Sequence, residues 1–156
     1  MEIGFSTSLH ILLAEDSESD AFLFRHALRA ARLQAGLSVV HDGQEAVDYL
    51  EAKPPFSDRT RNPFPDVIVT DLKMPGMDGF DLLEWIKSHA DCAVIPAIVL
   101  SSSYMEADVT KAYALGANAF LTKPGNAKDL ADLLLLTYTF WSRCLRPSVP
   151  RSLKCD

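Results

Sequence analysis

The chain alternates between short apolar runs and stretches whose apolar residues return every three or four positions. Residues 9–14, 38–40, 67–70, 95–100 and 119–121 are runs of strand type. Between them, residues 20–33 carry Ala21, Leu23, Phe24, Ala27, Leu28 and Ala31 at helical spacing, and 44–51, 81–89 and 106–115 repeat that pattern. Each helical stretch would cross over between parallel strands. Runs such as VIVT and IVL, apolar on both faces, suit a parallel sheet covered by helices on each side. The pattern predicts an α/β fold, doubly wound around a five-stranded parallel sheet.

Local punctuation agrees with this reading. Ser17 or Ser19 can cap the first helix, and Glu18 and Asp20 suit its positive end. Gly36 and Gly116 follow helical stretches where a left-handed residue is often needed. Residues 53–65 carry Pro54, Pro55, Pro63 and Pro65 among charges, which predicts an exposed loop. Residues 147–156 have no apolar period and read as a loose tail.

Composition narrows the function. A chain of 156 residues, 48% of them apolar, is the size of one domain. With 15 basic and 21 acidic residues the net charge is −6, so no positive field exists to attract nucleic acid or anionic lipid. Cys92, Cys144 and Cys155 are far apart and read as reduced thiols. The first residues lack the features of a signal peptide, and no stretch is apolar for a membrane span, so the expected location is the cytoplasm. His10, His26, His41 and His89 have no metal-ligand spacing and read as structural or exposed, while Arg143, Arg146, Arg151 and Lys154 read as solvated charge.

In an open parallel sheet, ligands bind beyond the carboxyl ends of the strands. There the polar residues form a set: Glu15 and Asp16 after the first run, Asp71 after the third, Ser101 to Ser103 after the fourth, Lys123 and Pro124 after the fifth. Carboxylates brought together repel, and a hard cation such as Mg²⁺ is the natural way to keep them ionised. A phosphoryl group arriving on Asp71 would find Mg²⁺, Lys123 and the Ser101 hydroxyl as stabilisers.

VIVTDLKMPGMDGFDLL, from Val67 to Leu83, resembles the phosphorylation segment of bacterial response-regulator receiver domains. The resemblance extends to LLAEDSESD, VLSSS and GANAFLTKP. It implies the flavodoxin-like strand order 2-1-3-4-5 and a receiver domain over 7–145, with 146–156 as a C-terminal tail. It further implies that Asp71 is the phosphoacceptor, that Asp16, Asp71 and the Lys73 carbonyl ligate Mg²⁺, and that Glu15 holds the metal through water. Ser101 would be the switch hydroxyl, Phe120 the aromatic whose rotamer reports phosphorylation, and Lys123 the partner of the phosphoryl oxygens, with Pro124 following through a cis bond.

Two departures stand out. Glu15 occupies a position where Asp is commoner, and the proline-rich loop is longer than usual. That loop, the lack of an output domain and LLLLTYTFWSRCL resemble single-domain regulators partnered with phytochrome histidine kinases. That branch implies a histidine kinase as partner and a homodimer through the C-terminal helix, where Leu135, Leu136, Tyr138, Phe140 and Trp141 leave more than one face apolar.

Other functions stay in view. A phosphatase with an aspartyl-phosphate intermediate would want an acid two residues after Asp71, where Lys73 stands. A flavin protein would want a phosphate loop where LLAEDSESD is acidic. A constitutive adaptor would keep the fold without the phosphorylation switch.

Overall fold

The computed structural model describes residues 8–147. Five parallel strands, β1 (His10–Ala14), β2 (Gly36–Val40), β3 (Val67–Thr70), β4 (Ala97–Ser101) and β5 (Ala119–Thr122), form one sheet in the order β2-β1-β3-β4-β5. The helices are α1 (Glu18–Ala30), α2 (Gly43–Leu50), α3 (Gly79–Ser88), the short α4 (Ala90–Ala93), α5 (Glu106–Ala114) and α6 (Ala127–Arg143).

Both faces of the central strands are buried because helices lie on each side. Ile11 and Leu13 of β1 pack with Phe24, Ala27 and Leu28 of α1 and with Leu130 and Leu134 of α6. Leu12 and Ala14 point the other way, among Val47 and Leu50 of α2 and Leu82 and Ile86 of α3. A third cluster joins Leu83 of α3 to Val99 of β4 and Ala112 of α5. Each large side chain removed from water in this way contributes roughly 1.5–3 kcal/mol.

The helix ends follow the local chemistry of the sequence. Of the two serine candidates, Ser17 caps α1, accepting from Asp20 N at 3.3 Å. Asp78 and Asp81 form a capping box at the start of α3. Gly116 has φ +102°, as expected of a residue ending a helix. Gly36 does not share that role. It opens β2, the left-handed residue after α1 is Arg32 at φ 54°, and a Cβ at Gly36 would meet His10 Nδ1 at 2.3 Å.

The segment 53–65 is a largely exposed loop, as expected, but it is anchored at a few inward positions. Phe56 and Phe64 pack against the cluster beneath α2 and α3. Arg59 donates from Nη1 to the carbonyls of Tyr49 (2.8 Å) and Asn62 (3.2 Å), and from Nη2 to the Leu50 carbonyl at 2.7 Å. Its guanidinium lies 5.8 Å from the Tyr49 ring centroid and 5.7 Å from that of Phe64. A cation facing inward onto helix-end carbonyls leaves no period for a pattern search to find. The Pro54–Pro55 bond in this segment is cis.

Arg146 is not free surface charge. Its Nη1 lies 2.9 Å from Asp66 Oδ1, an electrostatic contact without the alignment of a hydrogen bond. The greater part of the expected tail, 148–156, including Arg151 and Lys154, and with it Cys155, lies outside the described residues. No helix among the described residues is long and apolar enough to cross a membrane.

Candidate functional site

Strand register gathers the site. Ala14 pairs with Thr70, so Glu15 and Asp71 leave the sheet side by side, and the Asp71 amide donates to the Ala14 carbonyl at 3.0 Å. Ser101 pairs with Thr122, and Lys123 N donates to the Ser101 carbonyl at 2.8 Å. Four strands thus deliver polar residues to one edge, where the helix crossovers leave a crevice.

Gly79 is required just beyond. Its amide donates to the Leu72 carbonyl at 2.9 Å, and a Cβ there would meet the Asp71 carbonyl oxygen at 2.1 Å. The start of α3 therefore sits against the backbone that carries Asp71.

Charge is concentrated where water is scarce: Glu15 is 3% exposed, Ser101 3% and Asp71 9%. Lys123 Nζ donates to Glu15 Oε2 at 2.7 Å, Asp20 Oδ2 at 2.8 Å and Asp71 Oδ2 at 2.8 Å. The other Asp71 oxygen, Oδ1, accepts from Leu72 N at 2.7 Å. Burial raises the Glu15 carboxyl above its ordinary range, opposed by the hydrogen bonds from Lys123 and from Ser17 N. Burial also pulls on Lys123 in the neutral direction, but its carboxylate hydrogen bonds outweigh that and hold the ammonium above its usual range.

Glu15, Asp16 and Asp71 each offer a carboxylate oxygen, all within 4.8 Å of one another. Three oxygen donors with no sulfur or imidazole suit a hard divalent cation rather than zinc or copper. The acidic cluster is a divalent-metal site by its donor chemistry. Lys73 is exposed two residues beyond Asp71.

Ser101 Oγ accepts from Ser103 N at 3.2 Å, and Ser103 Oγ donates to Asp108 Oδ2 at 2.6 Å. Phe120 lies apart from the carboxylates. It is half-buried against the α3–α5 cluster, and its amide donates to Tyr113 Oη at 3.1 Å.

Of the expected residues, Glu15, Asp16, Asp71 and Lys123 come together, Ser101 shares their edge, and Phe120 flanks it. One contact of Lys123 goes beyond the sequence reading: Asp20, which suits the start of α1, also accepts from its ammonium. The place of Asp20 on the first turn of α1, directly after the acidic end of β1, brings it to the same strand-end crevice. The Lys123–Pro124 bond is trans, contrary to expectation. The isomers of X–Pro bonds differ by about 0.5–1 kcal/mol, and the Lys123 amide and ammonium both make their contacts in the trans form.

Known proteins share this sequence pattern and fold. Residues 11–135 match the response regulator receiver domain family. The chain is 35% identical over 131 residues to response regulator Rcp1 of Synechocystis sp., covering 84% of this chain and 87% of that one. The phosphorylated cyanobacterial phytochrome response regulator RcpA superposes with a TM-score of 0.81 at 32% identity, covering 90% of this chain and 99% of the other. The Mn²⁺-bound form of Rcp1 gives 0.76 at 33% identity, over 91% and 99%. A family match across most of the sheet, the 2-1-3-4-5 strand order and a lysine closing on an acidic strand-end cluster lead to one assignment: the chain belongs to the response regulator receiver domain family.

Proposed function

We propose that this protein is a phosphorylation switch in which Asp71 accepts a phosphoryl group from a histidine kinase. The observation that carries this reading is the Asp71 carboxylate itself: nearly buried, 2.8 Å from Lys123 Nζ, and within one metal's reach of Glu15 and Asp16. An Asp71 oxygen attacks phosphorus, the phosphorus–nitrogen bond of the donor phosphohistidine breaks, and neutral histidine leaves after taking up a proton. Water later attacks the acyl phosphate, slowly, and returns Asp71. The catalysis is self-directed, and positioning and charge supply most of it.

Mg²⁺ is the cation we assign to the cluster, held by Asp16, Asp71 and the Lys73 carbonyl, with Glu15 acting through water. When bound it neutralises charge on the phosphoryl oxygens. Lys123 pairs with a phosphoryl oxygen, Ser101 donates to another, and Phe120 responds from the neighbouring cluster. The domain spans 7–145, with 146–156 as a tail.

Similarity to Rcp1 and RcpA supports a phytochrome histidine kinase as donor. The exposed Leu135, Leu136 and Phe140 on α6 support a homodimer through that helix, for which a strictly monomeric mass by light scattering at high concentration is the contrary result. Cytoplasmic location accords with such a partner.

The test is intact mass after incubation with acetyl phosphate, for wild type and Asp71→Asn, with and without Mg²⁺. Mg²⁺-dependent addition of one phosphoryl group to wild type alone is expected. No adduct, together with no response to beryllofluoride, would leave a constitutive adaptor as the better account.

A further inference from the structure

An ammonium group has three N–H donors. In Lys123 all three have carboxylate acceptors, Glu15, Asp20 and Asp71, at 2.7–2.8 Å. Nothing is left over for a fourth acceptor, so contact with any new anion at Asp71 requires one of these bonds to be given up. The three are not equally replaceable. The Glu15 side chain is 4% exposed and would be left short of a partner in a site poor in water, while Asp71, 11% exposed, gives up its charge when one of its oxygens is phosphorylated but keeps a carbonyl oxygen that still accepts. The Asp20 side chain is 40% exposed and stands on the first turn of α1, where water can take over from the ammonium.

We infer that Asp20 is a positioning residue that competes with the phosphoryl group for Lys123, holding the lysine in its resting place and setting how strongly the phosphorylated form is favoured. This rests on the phosphoacceptor reading of Asp71. In the resting state Asp20 takes one N–H of Lys123. On phosphorylation a phosphoryl oxygen takes that N–H, and the Asp20 carboxylate turns to water. The raised proton affinity of Lys123 accords with an ammonium held on several sides. Asp20 touches no reacting atom. It acts through the lysine alone.

The inference separates from a general charge effect because Glu18 lies on the same first turn, carries the same charge, and is exposed. Neutralising any acid near the site eases the approach of an anion, and salt screens that effect. Neutralising Asp20 should add a direct effect that exists only while Lys123 is present.

The experiment is a double-mutant cycle on beryllofluoride affinity at saturating Mg²⁺, using the full chain and the variants Asp20→Asn, Glu18→Gln, Lys123→Ala and Asp20→Asn with Lys123→Ala. Asp20→Asn should bind beryllofluoride about fivefold tighter than wild type or better, Glu18→Gln should match wild type within about twofold, and the Asp20 effect should vanish without Lys123. Asp20→Ser, which also keeps a polar group at the helix start, should reproduce the gain if Asn perturbs the turn. An Asp20 effect that equals that of Glu18, or that persists undiminished without Lys123, overturns the inference while leaving the switch intact. Failure of wild type itself to bind beryllofluoride would instead overturn the phosphoacceptor reading beneath it.

Discussion

Arg146 reaches back across the fold to Asp66, its Nη1 2.9 Å from Asp66 Oδ1, so the segment after α6 is joined to the residue that enters β3. Asp66 is held on its other side by the His10 amide, at 2.7 Å from Oδ2. Arg146→Ala should cost about 1 kcal/mol in urea denaturation, since the pair is only partly shielded and Asp66 keeps its second partner. Phosphorylation by acetyl phosphate should be unchanged, because this edge of the sheet is opposite the carboxylates.

His10 sits beside that pair, with Nε2 2.9 Å from Ser38 Oγ and 3.3 Å from Tyr49 Oη. Burial lowers its pKa from the ordinary 6.5, with Asp66 opposing the shift. A histidine lowered in the folded state takes its proton more readily when unfolded. Its stabilising contribution is complete above 6.5 and is lost as pH falls through the folded value. Wild type should therefore lose stability between pH 7 and pH 5 partly through His10, and His10→Gln should lose less across the same interval. Equal losses for the two proteins in paired denaturation curves would refute this.

Arg59 satisfies the Tyr49 and Leu50 carbonyls at the end of α2 while lying against two aromatic rings. Arg59→Ala should cost about 2–3 kcal/mol, from orphaned acceptors and lost packing together. Arg59→Lys should recover little, since one ammonium cannot serve both ends of the fork. A thermal melt of each variant distinguishes this anchor from a dispensable loop charge.

Lys123→Ala should leave phosphorylation of Asp71 partly intact but weaken the conformational response, read by comparing NMR spectra with and without beryllofluoride. It should also destabilise the protein by about 3 kcal/mol at neutral pH, because Glu15 and Asp71 lose their cation in a shielded site. The pH dependence has a definite sign. Burial already raises Glu15, so its favourable contribution is complete at low pH and declines as pH rises through the folded value. Without Lys123 that decline should be steeper, making the variant's deficit larger at pH 8 than at pH 5. Lys123 itself, raised from an already high value, stays charged across that range.

Much of this was open to a reading of the chain. The sheet was visible because strands such as 67–70 are buried on both faces and so read as unbroken apolar runs. The site was visible because strand-end residues are fixed by register: once Ala14 and Thr70 pair, Glu15 and Asp71 must be neighbours. Contacts that depend on where a long side chain folds back were not legible. Arg59 turning inward, Arg146 meeting a residue at the far end of the sheet, and Asp20 leaning from a helix onto Lys123 leave no periodic trace. The expectation of a cis bond before Pro124 came from the family resemblance and not from this chain, and the bond instead takes the trans form that X–Pro bonds intrinsically favour.

The connection from α2 to β3 enters the sheet at the pole opposite the carboxylate cluster, and Arg59 fastens it there to the carbonyls that end α2 and to the Tyr49 and Phe64 rings. Substitutions at its outward residues should therefore leave the carboxylate cluster undisturbed. Domains that share this fold and this cluster have in this segment a place to become distinguishable to the proteins that meet them.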